Sequence, residues 1–250
     1  MIIYTHGQPW PILVLTLEGD ERRRAPLLDW LARHGLSHRL FFGVDGRKGL
    51  ADRWAAETDR AAARQTYGRD LTDGELACAL SHREIYRWIE KTGNPGAIVL
   101  EDDALPGPDF AAFLASRAHE RLDLLMFDHS HARIWRNSRQ HAGGQDLYRL
   151  SLPSCLTTAY AISAAAAKRL AAANTPVRWQ ADWPGNIVAL AAMVVVPPIV
   201  GHPDGKTGVS HLRSAREGAS PRRKSPGLAR FTNRLFWKRW ITKRLSRRVS

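Results

Sequence analysis

Cysteine is scarce in this chain. Only Cys78 and Cys155 occur in 250 residues, which excludes a disulfide-stapled scaffold and suits a reducing compartment. Long hydrophobic runs are missing too. The longest, residues 187–200, is broken by Pro197 and Pro198 and falls short of the roughly 20 apolar residues of a membrane-spanning helix. The opening residues lack the basic and apolar blocks of a secretory leader, so the expectation is a cytoplasmic protein. No glycine-rich phosphate loop, dinucleotide fingerprint or G-x-S-x-G elbow occurs, which argues against a P-loop enzyme, a Rossmann cofactor enzyme and an α/β-hydrolase. No Cys/His spacing resembles a zinc site. Acids are nearly absent from one end: residues 214–250 hold twelve Lys and Arg against the single acid Glu217. The net charge of +13 therefore belongs mostly to a tail and says little about the rest of the chain.

What is present is a short apolar stretch that stops on acids. Ala97 to Leu100 reads as a buried strand, and Glu101, Asp102 and Asp103 follow it at once. In open α/β sheets the carboxyl edge is where ligands bind. Carboxylates set this close repel one another and call for a positive partner, and hard oxygen ligands suit Mg²⁺ or Mn²⁺ carrying a substrate phosphate. The plain alternative is an acidic turn after a strand.

The rest of the chain alternates strand and helix. Strands are expected at 12–17, 39–44, 97–100, 122–127 and 157–162, and helices at 21–34, 50–65, 72–91 and 164–173. Thr72 and Glu75 have the spacing of a capping box, and Asp20 and Ser163 stand where N-caps belong. Residues 129–148 read as a loop or weak hairpin, and 181–196 as a helix running into a strand. The pattern predicts one α/β domain over 1–213, a mixed and mostly parallel sheet flanked by helices. A Pro- and Gly-containing linker at 214–227 and a basic aromatic tail at 228–250 follow.

Several segments in fixed order resemble glycosyltransferase family 25, the lipooligosaccharide-biosynthesis glycosyltransferases. Leu15-Thr16-Leu17 with Glu21-Arg22-Arg23, then Gly43-Val44-Asp45-Gly46, are similar to the family's opening. Leu71 to His82 resembles its most recognisable stretch, and Leu100 to Asp103 falls at the expected distance after it. Thr158 to Ser163 with Ala167-Lys168, and then Ala181-Asp182-Trp183, complete the order. Thr16 stands where the family usually has Asn, and Ala77 where Gly is common. The resemblance implies a GT-A-like fold and transfer of a sugar, galactose being the first expectation, from a UDP-sugar to a lipopolysaccharide or lipooligosaccharide core acceptor. It also implies an inverting outcome.

Residue types supply the expected roles. Glu101 and Asp103, two apart on an extended backbone, would hold the Mn²⁺ or Mg²⁺ that neutralises the departing diphosphate, with His202 completing the set. Asp102 points the other way, toward a ribose hydroxyl or into solvent. Arg23 suits phosphate or uridine carbonyls, or belongs to an Arg-rich exposed helix face. Asp45 and Gly46 approach the base or ribose, or form a simple turn. Ser81 and His82 reach the donor from mid-helix, or are satisfied buried groups; Cys78 reads as core packing. Asp182, beside Trp179 and Trp183, is the candidate general base, or an N-cap. The tail mixes Trp and Phe with Lys and Arg, a composition that suits an anionic membrane surface, yet its aromatics show no single stripe at helical spacing. Two other readings stay open at this point: a nucleic-acid-binding protein driven by the tail, and a metal-dependent phosphohydrolase using the same acids.

Overall fold

The computed structural model describes residues 9–203 and 234–250. The expected linker at 214–227 and the start of the tail lie outside the described residues, as do two residues of the loop after His202: Lys206, expected to meet the diphosphate, and His211, the alternative to His202 as a ligand.

The chain opens with β1 (Ile12–Thr16), α1 (Glu21–Arg33) and β2 (His38–Phe42), and continues through α2 (Asp52–Ala55), α3 (Arg60–Tyr67) and α4 (Asp73–Thr92). Next come β3 (Gly96–Glu101), β4 (Leu105–Pro106), α5 (Phe110–Ala115), β5 (Leu124–Met126), β6 (Arg133–Trp135), β7 (Gln140–Ala142) and β8 (Gln145–Leu152). Then follow β9 (Ala159–Ser163), α6 (Ala164–Ala173), β10 (Met193–Val195), β11 (Val200–Gly201), the last helix (Arg234–Leu245) and β12 (Ser246–Arg248). One large sheet runs β12-β6-β8-β10-β5-β9-β3-β1-β2, with β7 on β8. Strands β2, β1, β3, β5, β10, β6 and β7 point one way, and β9, β8 and β12 point against them. The sheet is mixed and mostly parallel, flanked by helices, as a GT-A-like single domain requires.

Burial follows from the alternation of side chains along central strands. Leu13, Leu15 and Val99 face the layer containing Ile85, Tyr86 and Ile89 of α4 and Ala167 and Leu170 of α6. Ile12, Val14, Ile98 and Leu100 face Leu27 and Leu31 of α1 and Phe110 and Phe113 of α5. Both faces of β1 and β3 are covered, which is why these strands read as unbroken apolar runs.

Local signals held where the chemistry is local. The capping box of Thr72 and Glu75 forms, and Gly93 ends α4 in the left-handed conformation. Ser163 caps α6. Asp20 makes no side-chain cap bond; its Oδ1 lies 2.8 Å from Arg47 instead. The expected helix at 50–65 divides into α2 and α3, with Asp59 capping the second. The weak hairpin at 129–148 is three strands. Residues 181–196 hold a 3₁₀ turn at Ile187–Leu190 and then β10, with no α-helix. Trp183 sits at φ 71°, a left-handed conformation that breaks a helix there.

Candidate active site

The ends of β1, β2 and β3 meet at one edge of the sheet, and β9, running the other way, begins beside them after Thr157 and Thr158. Glu101 pairs in register with Leu15, and its carboxylate meets His82 of α4. His82 Nε2 lies 3.3 Å from Glu101 Oε1, and the Thr157 hydroxyl donates to the same oxygen at 2.8 Å. The other ring nitrogen of His82 is 2.8 Å from the hydroxyl of fully buried Tyr160, whose ring stands edge-on to Trp183 at 5.0 Å. Burial opposes ionisation of Glu101, but the His82 bond and charge, the Thr157 bond and the Arg23 charge outweigh it and hold its pKa below the ordinary value.

Asp102 and Asp103 turn to the α1 side. The strand stops at Glu101, and the Ala104 N–H donates to the Glu101 carbonyl at 2.9 Å, closing a tight turn. Buried Asp102 accepts from the Thr16 hydroxyl at 2.8 Å and from Arg23 Nε at 2.9 Å, while Arg23 Nη2 donates to Asp103 at 2.7 Å. One guanidinium therefore bridges two carboxylates. Burial pushes the Asp102 pKa up, Asp103 and Glu101 push the same way, and together they outweigh Arg23 and Thr16. Arg23 pays for partial burial, yet the charges of Asp103 and Asp102 raise its pKa.

Glu101 and Asp103 thus face different partners, and it is Asp102 and Asp103 that share Arg23. The two-residue rule holds only along extended backbone, and the turn after Glu101 ends it. The expected third ligand, His202, pairs instead through Nδ1 with buried Asp128 at 2.7 Å. Both line a cavity of about 500 Å³ with Asp109, His129, Gln145 and Ile199, beside the acidic turn on the same edge.

Cys78 contributes a third ligand-type atom near His82 and Glu101, all within 4.8 Å of one another. His82 and Glu101 already meet Tyr160 and Thr157. The group reads as a hydrogen-bonded network.

The remaining expected residues divide between structural clamps and the edge itself. The Ser81 hydroxyl accepts the Val44 N–H at 2.8 Å and donates to the Ala77 carbonyl at 2.8 Å, tying the loop after β2 to α4. Asp45 receives Arg47 through three side-chain bonds, two of 3.0 Å from Nε and one of 2.7 Å from Nη2, and Arg47 also reaches Asp20 and the Glu18 carbonyl. Arg47, which no sequence signal set apart, joins the loops after β1 and β2. Asp182 is exposed and accepts the Leu156 N–H at 3.1 Å, which places it one residue from Thr157. It is no helix N-cap. Burial and then the Asp182 charge raise the Cys155 thiol pKa.

Gly46 packs against the start of α4. A Cβ there would meet the Asp73 carbonyl at 2.5 Å and the Ala77 Cβ at 2.8 Å, so backbone would have to shift. Gly46→Ala is expected to destabilise the fold by about 1–3 kcal/mol through overpacking. The check is a lowered urea midpoint with an unchanged slope.

Comparison with known proteins bears on the same region. The family model described as glycosyltransferase family 25 (LPS biosynthesis protein) matches residues 10–183. That span holds Arg23, Asp45, Gly46, Ser81, His82, the three acids and Asp182, and stops short of His202. The chain is similar to the rat protein "Probable inactive glycosyltransferase 25 family member 3", 26% identical over 242 residues, covering 84% of this chain and 41% of that protein. It is also similar to "Lacto-N-neotetraose biosynthesis glycosyltransferase LgtB" of Neisseria meningitidis serogroup B, 31% identical over 112 residues, covering 44% of this chain and 39% of that protein. The chain spans about two fifths of the length of these curated relatives. Among the described residues, no helix is long and apolar enough to cross a membrane.

Proposed function

The chain belongs to glycosyltransferase family 25, and from that premise we propose that it moves a sugar from a UDP-sugar, galactose first among them, to a lipopolysaccharide or lipooligosaccharide acceptor. The observation that carries this reading is Arg23 bridging Asp102 and Asp103 at the carboxyl end of β3, next to the ends of β1 and β2. A glycosyl donor leaves as a nucleoside diphosphate, and an edge with a fixed guanidinium and hard carboxylates is suited to hold that anion.

A divalent cation fits the same residues. Two carboxylates share one guanidinium, so the turn carries one formal negative charge more than Arg23 neutralises. Asp102 and Asp103 offer the hard oxygens that suit Mn²⁺ or Mg²⁺. When bound, such an ion would supply charge neutralisation for the diphosphate. Arg23 orients the two carboxylates and presents its own charge to phosphate oxygens. Glu101, anchored by His82 and Thr157, sets the end of β3 and the start of β9 against each other. Asp182, one residue from Thr157, is the group to take the acceptor hydroxyl proton as that oxygen bonds to the anomeric carbon and the bond to the diphosphate oxygen breaks.

A donor panel tests the proposal. UDP release is measured for several UDP-sugars with Mn²⁺, with and without a glycolipid acceptor. Release that depends on acceptor is expected. Release of free sugar regardless of acceptor would favour a hydrolase. No nucleotide release from any donor would place this chain with an inactive relative, as the rat protein's name describes.

A further inference from the structure

The last helix carries an exposed apolar stripe among the described residues. Trp237 is 42% exposed, Trp240 40%, Ile241 48% and Leu245 59%; elsewhere among the described residues only Phe42 and Leu105 are large, apolar and exposed. Spacings of three, four and eight residues from Trp237 put these four side chains on one face of the helix. The aromatics alone form no stripe; Ile241 and Leu245 complete this face, and Arg244, seven residues from Trp237, lies on it as well. The two indole rings meet edge-on at 5.7 Å, and the Arg244 guanidinium lies 4.1 Å over the Trp240 ring.

The segment carries charge of one sign. Residues 234–248 include Arg234, Lys238, Arg239, Lys243, Arg244, Arg247 and Arg248, and no acid. A face of Trp, Ile and Leu with Arg244 set among them matches the boundary between acyl chains and anionic headgroups: Trp sits at that depth, and Arg and Lys reach the phosphates. A nucleic acid would use the charge and leave Ile241 and Leu245 unused. A protein partner would have to be acidic throughout to meet this charge.

The helix is also held in place. β12 pairs with β6, Ser246 opposite Trp135. Arg133 donates to the Ser246 hydroxyl at 3.0 Å and to the Lys243 carbonyl. The Ser250 hydroxyl meets His129 Nδ1 at 3.0 Å and the Ala132 N–H at 3.0 Å. His129 lines the 500 Å³ cavity that Asp128 and His202 also line. We propose that the face formed by Trp237, Trp240, Ile241 and Leu245 docks on an anionic bilayer and brings that cavity to the membrane surface. Only the usefulness of this to a glycolipid acceptor rests on the function proposed above; the binding itself does not.

The test is co-sedimentation of the full chain with vesicles of phosphatidylglycerol and phosphatidylcholine in equal parts, against vesicles of phosphatidylcholine alone, at about physiological salt. Binding to the anionic vesicles is expected, together with a loss of at least about tenfold in the doubly substituted Trp237→Ala/Trp240→Ala chain. Ile241→Glu, at an already exposed position, should weaken binding without disturbing the fold. UDP release with a water-soluble acceptor should stay unchanged in these variants, which separates this inference from the catalytic one. Equal binding to both vesicle types overturns it. So does wild-type binding by the double variant, or a dimer that the same substitutions dissolve.

Discussion

Asp103→Asn should cut sugar transfer by about 10²–10³-fold, the scale seen when one preorganised charge-stabilising group is removed, while leaving the fold nearly untouched. Asp103 is partly exposed, 28% by side chain, and pairs with Arg23 at 2.7 Å. An ion pair of that exposure contributes at most about 1 kcal/mol to stability. Its part in the proposed reaction is different in kind. Asp103 and Asp102 together fix the Arg23 fork and offer the oxygens that a divalent ion would take. Asn keeps the shape, loses the charge and leaves Arg23 to Asp102 alone. The measurement is acceptor-dependent UDP release beside a thermal melt. Full activity in this variant would sink the assignment of the acidic turn as the donor site.

His82→Ala should be the most damaging substitution for stability. His82 is almost completely buried and serves two partners, the Tyr160 hydroxyl and the Glu101 carboxylate. Removing it leaves the Tyr160 hydroxyl without its His82 bond and Glu101 with Thr157 as its remaining hydrogen-bond donor of the pair. At about 1–3 kcal/mol for each unsatisfied buried group, the loss should reach about 2–5 kcal/mol. The pH dependence has a definite sign. Glu101 has a lowered pKa in the fold, so its contribution is present above its ordinary pKa and is lost as pH falls through the folded value. His82 is the largest favourable cause of that lowering. The variant should therefore begin its acid-side decline at higher pH than the native chain. Melting temperatures followed from neutral to acid pH check both parts. A variant that differs from the native chain by a constant offset at every pH would remove His82 from the account of Glu101.

Much of the fold was legible because its signals are local. Thr72 and Glu75 lie three residues apart, and the bonds between them need nothing from elsewhere in the chain. The apolar runs at β1 and β3 reflect burial on both faces, which composition alone reveals. The family was legible for the same reason, as short motifs in order. The site was legible as a list of residues and not as a set of contacts. Arg23 was singled out, but its two partners lie about 80 residues away in sequence. Asp182 was assigned to the start of a helix that does not form. His202 was expected beside the acids of β3, and its Nδ1 lies 2.7 Å from Asp128. Arg47 carried no signal, since an arginine after an Asp-Gly turn is ordinary until its reach to Asp20 is known.

The order of strands and helices, the acidic turn and the basic end of the chain were therefore determined by the sequence itself, through periodicity, caps and composition. Where β3 stops was decided in three dimensions: the turn after Glu101 sends one acid to the α4 layer and two to Arg23. The same holds for the last strand, which joins the sheet through β6 and holds the Trp240 stripe outward. Backbone propensity acts between neighbours in sequence. The direction of a side chain at the end of a strand, and the partner it finds, depend on packing between segments that the chain brings together only when folded.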